Sequence, residues 1–308
     1  MYKYILKRLM MLIPVVVGIT FLVFFILKLT PGDPVRLILG DMATEEAKAQ
    51  LRSDLGLDKP LLVQYANFML RMVGGDLGRS YTTRRDVASE IRSRFSVTFK
   101  LAIFSMLISA IIAIPVGIVS ATKQYSLMDN ASMVACLIGV SIPNFWLGLM
   151  LLLLFSVHLG LLPSVGSDSW RNFILPSITL GVGGAANIAR MMRSSMLEVI
   201  RQDYIRTARA KGVKKGKIIR KHALRNAMMP VITIIGLQFG LYLGGAVLTE
   251  TVFSMSGTGR LLLDGIRAKD TPTVLGCVTV FALCYSLVNL LVDLIYGFLD
   301  PRIRAEYS

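Results

Sequence analysis

The sequence predicts an all-α, polytopic membrane protein. It should have six transmembrane helices, an external helical insertion after the first, and a cytoplasmic helical hairpin between the fourth and fifth. Three observations carry that expectation. Hydrophobic residues make up 54% of the 308 and mean hydropathy is +0.62, more apolar than a soluble domain of this length. Six apolar runs reach the roughly 20 residues that a helix needs to cross a bilayer core. The net charge of +15 is gathered in loops beside those runs rather than spread over a surface. In a soluble chain that charge would suggest nucleic acid. Placed at span ends it is accounted for by the membrane surface, and nucleic acid is not an expected partner.

Taken in order, the spans fall near 9–29, 99–121, 131–157, 174–196, 228–250 and 272–296. Lys3, Lys7 and Arg8 precede the first run and give it the look of a signal peptide. The run from Met10 to Leu27 is longer than a signal core and lacks a small-residue cleavage site, so a retained span is expected. The third span carries no charge between Ala131 and Val157, with Pro143 and Asn144 at its middle as a packing kink. The fourth is diluted by Pro176, Gly181, Gly183, Gly184 and Asn187, small residues that let helices approach closely.

Between the first two spans, 30–98 is too long and too polar to be a simple turn. Thr44 N-caps a helix to Leu55, with Gly56 just past its end. Pro60 opens an amphipathic run that places Leu61, Leu62, Tyr65, Phe68, Met69 and Met72 on or near one face. Asp86 caps a third helix through Arg94. These pack as a small cap on the external surface or form a platform for an external partner. The organisation expected is therefore 1–29 as first span, 30–98 as external helical loop, 99–300 as a five-helix core including the loop 198–227, and 301–308 as a cytoplasmic tail.

Charge sets the orientation. Segments 1–8, 122–130, 190–227 and 300–308 hold eighteen Lys/Arg, and the opposite short loops, 158–173 and 251–271, hold four. Both termini should therefore be cytoplasmic. The loop 30–97 carries ten basic residues, but long loops escape this bias. Arg190 and Asp293 sit near cytoplasmic span ends, where side chains can snorkel. No carboxylate or histidine lies at mid-span, which argues for energy supplied from outside the chain.

The most basic stretch is Asp203 to Pro230. From Arg190 to Arg225 there are twelve Lys/Arg against Glu198 and Asp203. Tyr204, Ile205, Ala208 and Ala210 mark a first short helix, Gly212 breaks it, and Gly216 adds flexibility to the turn. Ile218, Ile219, Ala223 and Leu224 face one side of a second helix. Such a hairpin either lies on anionic headgroups or plugs into a soluble partner.

Enzymatic motifs are weak. GVKKGK at 212–217 has the wrong glycine spacing for a P-loop, Ile218 replaces Ser/Thr, and no strand precedes it. GVGG at 181–184 reads as helix packing. His158 and His222 share no ligand spacing with Cys136, Cys277 and Cys284, so neither a metal nor a cofactor is expected in this chain. The polar groups Asn144, Asn187 and Gln238 face other helices or an aqueous path. Glu250 and Thr251 end the fifth span, and a surface or re-entrant helix follows over about 251–266, opened by Ser256-Gly257.

The order Arg206-Thr207-Ala208, three residues, Gly212, nine residues, His222-Ala223-Leu224 resembles the cytoplasmic signature loop of ABC importer permeases. The family pattern is Glu-Ala-Ala, three residues, Gly, nine residues, Ile-x-Leu-Pro. Here Arg206 replaces Glu, Thr207 the first Ala, and Arg225 the Pro. TARAKG…HALRNAMMP, LTPGDP near residue 30, SIPNFWLG at 141–148, LGGAVLTETVFS at 243–254 and LDPRIR near the end are similar to the peptide/nickel branch, so the resemblance covers nearly the whole chain.

That resemblance implies a permease subunit in the bacterial inner membrane. It would pair with a sister permease, two cytoplasmic ATPases that bind ATP and Mg, and an external substrate-binding protein. The ATPase contact would fall on Tyr204, Arg206, Thr207, Ala208, Gly212 and Leu224, with Arg206 taking an acidic partner. The translocation path would include Asn144, Asn187, Gln238, Glu250, Phe253 and Arg260. LLPSVGSDSW at 161–170 and DYIRTARAKG look closest to permeases for di- and oligopeptides, including glutathione, with nickel or a metal chelate as the alternative. From other classes, a stand-alone carrier predicts gradient-driven flux without ATPases, and a membrane scaffold predicts salt-sensitive lipid binding without flux.

Overall fold

A computed structural model describes residues 2–40 and 42–299. The expected tail, 301–308, lies outside the described residues. The described chain is helical throughout, with an isolated bridge between Arg79 and Asp86 and no strand among the described residues. Five helices are long and apolar enough to cross a membrane, or six if one bent pair counts as a single span.

The chain divides into two compact units, and each is described by itself. One holds Leu6–Thr98 and Ser256–Cys284, so distant stretches of sequence share a unit. It contains α1 (Tyr2–Leu29) from Leu6 onward, α2 (Pro34–Leu39), α3 (Glu45–Asp54), α4 (Leu61–Val73) and the start of α5 (Val87–Thr122). α3 is capped by Thr44, which accepts from the Ala47 N–H at 3.3 Å, and is closed at Gly56, whose φ of +64° lets Leu57 N–H reach back to Arg52. On α4, Phe68 is buried with Phe24 and Leu275 and is flanked by Tyr65, Met69 and Met72. Leu61 and Leu62 keep the helical spacing of that face but are not packed with it. They sit exposed in the first turn, before the helix reaches its packing partners. Tyr65 donates to the Val17 carbonyl at 2.8 Å and meets Thr20 Oγ1 at 3.0 Å, which fastens α4 to α1.

Asp86 does cap a helix, accepting from Ser89 N–H at 2.8 Å, but the helix does not stop at Arg94. Val87–Thr122 runs 36 residues without a break, because no glycine or proline interrupts it before Pro115. A separate third helix in the loop is thus corrected to the first turns of the second span. In the same unit, α13 (Thr258–Arg267) starts at Gly257, and α14 (Thr271–Leu299) starts at Asp270. Asp270 is buried, accepts from Ser80 Oγ and Thr82 Oγ1, and caps α14 through the Thr273 N–H. Burial pushes the neighbouring Tyr81 phenol up to about 12, and the Asp270 charge adds to the shift. Lys269 donates to the Thr30 and Pro31 carbonyls, so the LTPGDP turn is held by main-chain recognition.

The second unit holds Phe99–Met255 and the C-terminal helix from Tyr285. Its elements after α5 are α6 (Leu127–Ser141), α7 (Asn144–Leu151, extended by a π-helical turn Leu152–His158), α8 (Ile174–Ile200), α9 (Asp203–Ala210), α10 (Lys215–Lys217), α11 (Leu224–Gly245) and α12 (Val247–Val252). α8 is at the centre, packed against α11 and α6. The kink expected at Pro143 in the third span is present and far sharper than a packing bend: α6 and α7 meet at 97° across Ile142–Pro143. Proline removes a backbone donor and disfavours helix at the residue before it, and Ile142 is extended. Each arm has 15 residues, about 22 Å at 1.5 Å per residue, short of a 30 Å hydrocarbon core.

Two further boundaries differ from expectation. α11 stops at Gly245, so Glu250 and Thr251 belong to the separate α12 rather than ending the fifth span. The second leg of the basic hairpin is not a separate helix either. Lys215 to Gly244 forms one span-length helix with a π-helical turn at Ile218–Ala223. Gly216 is helical, and the buried Ile218, Ala223 and Ala227 carry one packed face straight into the span.

Candidate functional site

The site is built around α9. Its eight residues place Ile205 alone in the interior, fully buried, while Asp203, Tyr204, Arg206, Thr207, Arg209 and Ala210 are exposed. α9 lies against the π-helical turn Ile218–Ala223 that leads into α11. The Asn226 amide donates to the Tyr204 hydroxyl at 2.6 Å and makes a second tie between α9 and the base of α11. Gly212 ends α9. Its φ is +75°, its N–H bonds Arg209 O at 2.9 Å, and Val213 N–H bonds Ala208 O at 3.2 Å. That pair of bonds is a Schellman closure, which needs the left-handed conformation that glycine adopts without strain. A Cβ at Gly212 would find nothing within 4 Å, so the space outside it is open.

Of the residues expected at a partner contact, Tyr204, Arg206, Thr207 and Gly212 share this exposed element, and Ala208 is half-buried in it. Leu224 is half-buried at the start of α11. Arg206 lies 3.6 Å from Asp203, with both side chains largely in solvent. Such a pair is worth little and leaves the guanidinium available. α9 is thus a short helix plugged through Ile205 and fixed to the foot of a span-length helix.

The expected path residues do not form one cluster. Gly183, Asn187 and Arg190 follow one another at i, i+4 and i+7 along one face of α8. A Cβ on Gly183 would lie 3.2 Å from the Asn144 amide oxygen, so Asn144 stands over the head of this stripe. Arg190 donates to Asn187 Oδ1 at 2.7 Å. Gln238 instead interacts with Tyr242. Phe253 is core: it is buried, its ring lies 3.2 Å from where a Gly148 Cβ would be, and its carbonyl accepts from Gly166 N–H at 3.1 Å. Glu250 is fully buried in α12. Arg260 is in the other unit, 4.0 Å from Asp264 on α13.

Two constellations escaped the sequence reading. Tyr242 on α11 donates to Leu180 O at 3.0 Å and meets Ser109 Oγ of α5 at 2.9 Å, while Ser109 also lies 2.8 Å from Gly181 O. The Tyr242 hydroxyl occupies the space that a Cβ on Gly184 would need, at 1.8 Å. Three helices are thereby locked through one buried polar knot, and GVGG supplies the room for it. The other is the buried Asp129, which accepts from Arg193 Nε and Nη2 at 2.7 Å each, from Ser120 Oγ and from Tyr125 N–H. The fork-to-fork geometry satisfies the carboxylate while tying α6 to α8. Sixty-four positions separate the pair, and no local pattern marks it.

Comparison with known families decides what this assembly is. Residues 113–305 match the binding-protein-dependent transport system inner membrane component, and residues 1–102 match the N-terminal part of such membrane components. The chain belongs to this permease family. It is the membrane subunit of a binding-protein-dependent ABC importer, a component that works with an ATPase and a substrate-binding protein. The permease is 45% identical over 304 residues to the glutathione transport system permease proteins GsiC of Escherichia coli (strain K12) and Salmonella typhi, covering 99% of this chain and 99% of each relative. Its fold is similar to a chain in the inward-facing structure of the MetNI methionine ABC transporter. That match has a TM-score of 0.58 and 22% identity, and covers 68% of this permease and 96% of the other chain.

Proposed function

We propose that this permease carries di- and oligopeptides of the glutathione class, as one of two membrane subunits in a complex with a sister permease and two ATPases. The observation that carries the reading is the 45% identity, end to end, with permeases named for glutathione transport. The same names favour a peptide over nickel as cargo.

The transmission step follows from α9. Closure of the ATPase pair around ATP and Mg, which the ATPases hold, moves a docked α9. Ile205 and the Tyr204–Asn226 bond pass that movement to the foot of the Lys215–Gly244 helix. Arg206, Thr207, Ala208 and Gly212 offer the exposed contact, and Arg206 meets an acidic group on the ATPase. With the basic loops on the cytoplasmic side, α9 and both termini face the ATPases, while the 30–98 region and α13 face the external binding protein.

The test is purification of the tagged chain from native membranes in mild detergent, followed by uptake in proteoliposomes. Recovery of ATPases and a second permease, with ATP-dependent glutathione uptake, is the expected result. Uptake of nickel but not glutathione would overturn the substrate reading. Recovery of the chain alone, even after crosslinking, would overturn the proposed assembly.

A further inference from the structure

We propose that Arg190, oriented by Asn187, is the station on this permease's path that takes a carboxylate of the passing substrate. The inference rests on the peptide reading above and deepens it. α8 carries two arginines one turn apart, and the fold treats them in opposite ways. Arg193 is matched by the buried Asp129 in a two-pronged pair. Arg190 is exposed, and among the described residues no carboxylate pairs with it; its bond is to the neutral Asn187 amide at 2.7 Å. A charge on a span-length helix is costly without a counter-charge, and where it persists it marks a functional path.

Its location supports the same reading. Arg190 lies ten residues before the last residue of α8, Ile200, or about 15 Å along the axis at 1.5 Å per residue. It is therefore clear of the final turns of α8 and, on the expected span 174–196, about 9 Å from the cytoplasmic end, which makes it a station in the cytoplasmic part of the path. The face it shares is polar and slender: Gly183 leaves a gap, Asn187 follows, and Asn144 closes the head. Next to it, α8 is occupied by the packed knot around Gly184 and Tyr242. One face of α8 is thus structural, and the adjacent one offers amide donors and a guanidinium in sequence. A guanidinium held in orientation by one bond still presents a planar fork of N–H donors, which suits a carboxylate. Glutathione carries two carboxylates and one ammonium, so a fixed cation discriminates it from neutral solutes of similar size.

The test uses the complete importer in proteoliposomes at saturating binding protein, with glutathione as the probe. Arg190→Gln should lower the maximal uptake rate about tenfold, while Arg190→Lys should keep a large share of it. A second measurement needs no substrate. Asn144→Cys, on α7 opposite Gly183, which lies two turns of α8 before Arg190, should react about threefold or more faster with an anionic than with a cationic methanethiosulfonate, and Arg190→Gln should abolish that preference. If Arg190→Gln transports at the wild-type rate, the assignment is wrong. It is equally wrong if the thiol stays unreactive to both reagents, as it would facing lipid, or if Arg190→Gln causes the sister permease to dissociate. Failure of the unaltered complex to take up any peptide, with the charge preference intact, would overturn the peptide reading instead and leave an anion-selective path.

Discussion

Gly184→Ala tests the interlocking of α5, α8 and α11. The added methyl would lie 1.8 Å from the Tyr242 hydroxyl oxygen, 2.9 Å from Cζ and 3.0 Å from Ser109 Oγ. A tyrosine ring wedged between helices cannot yield that much without leaving its position, so overpacking alone should cost about 1–3 kcal/mol. Moving the ring also gives up the bonds to Leu180 O and Ser109, and interhelical bonds in membranes average roughly 0.6 kcal/mol each. The sum is about 2–4 kcal/mol, or a fall in melting temperature on the order of 5–10 °C. Thermal unfolding of the purified complex in detergent, followed by intrinsic fluorescence, reads it directly. Tyr242→Phe alone should lose roughly 1–2 kcal/mol through its bonds to Leu180 O, Ser109 and Gln238. Because it also removes the oxygen in the closest clash, Gly184→Ala/Tyr242→Phe should be more stable than the sum of the single losses by about 1 kcal/mol or more. A Gly184→Ala protein that melts with the wild type, or a double variant that is simply additive, would refute the geometry.

Three further outcomes follow from the same structure. Gly212→Trp should melt close to wild type, since a left-handed residue costs about 1–2 kcal/mol and nothing crowds its Cβ, yet it should lose ATP-coupled uptake; normal coupled uptake would move the ATPase contact elsewhere. Asp129→Asn should destabilise by about 1.5–3 kcal/mol, because it removes the charge that the partly buried Arg193 is paired with. Asp129→Asn/Arg193→Met should recover much of that loss in the same melting assay, and no recovery would mean that the charge pair is not what matters. Asp270→Ala removes the α14 cap and the anchor of Ser80 and Thr82, a loss of about 0.5–2 kcal/mol from the cap alone. Limited proteolysis within 79–86 should accelerate, and an unchanged cleavage rate would show that the loop is held by something else.

Much of this molecule is legible residue by residue because the signals are local. Thr44 and Gly56 bracket α3 as capping chemistry requires, Pro60 opens α4, and Gly212 closes α9 in the one conformation that glycine adopts without strain. The apolar runs announce spans because a bilayer demands length and hydrophobicity within one segment. Helix continuity is harder to read. Asp86–Arg94 and Lys215–Ala223 looked like separate short helices because their composition is polar. Composition reports the solvent around a residue, whereas a helix ends only where its hydrogen-bond ladder is broken. At Ile142–Pro143 the proline announces a kink but not its amplitude, 97°.

The candidate sites divide along the same line. Gly212 and the exposed side of α9 were readable from the spacing of one short segment. Phe253 was expected on a path and is core, since nothing in LTETVFS says which side of the chain Gly148 will occupy. Asp129 with Arg193, 64 positions apart, and Ser109 with Tyr242, 133 apart, meet through geometry that exists only after the helices have packed. The sequence by itself determined an all-helical membrane chain, the sites of its caps and the place of its short basic helix, because each depends on free energies local to a few turns. Only the tertiary structure decided which face of α8 is locked and which is left polar and open. That choice depends on what each helix meets across the bundle, and only the folded arrangement of all of them supplies it.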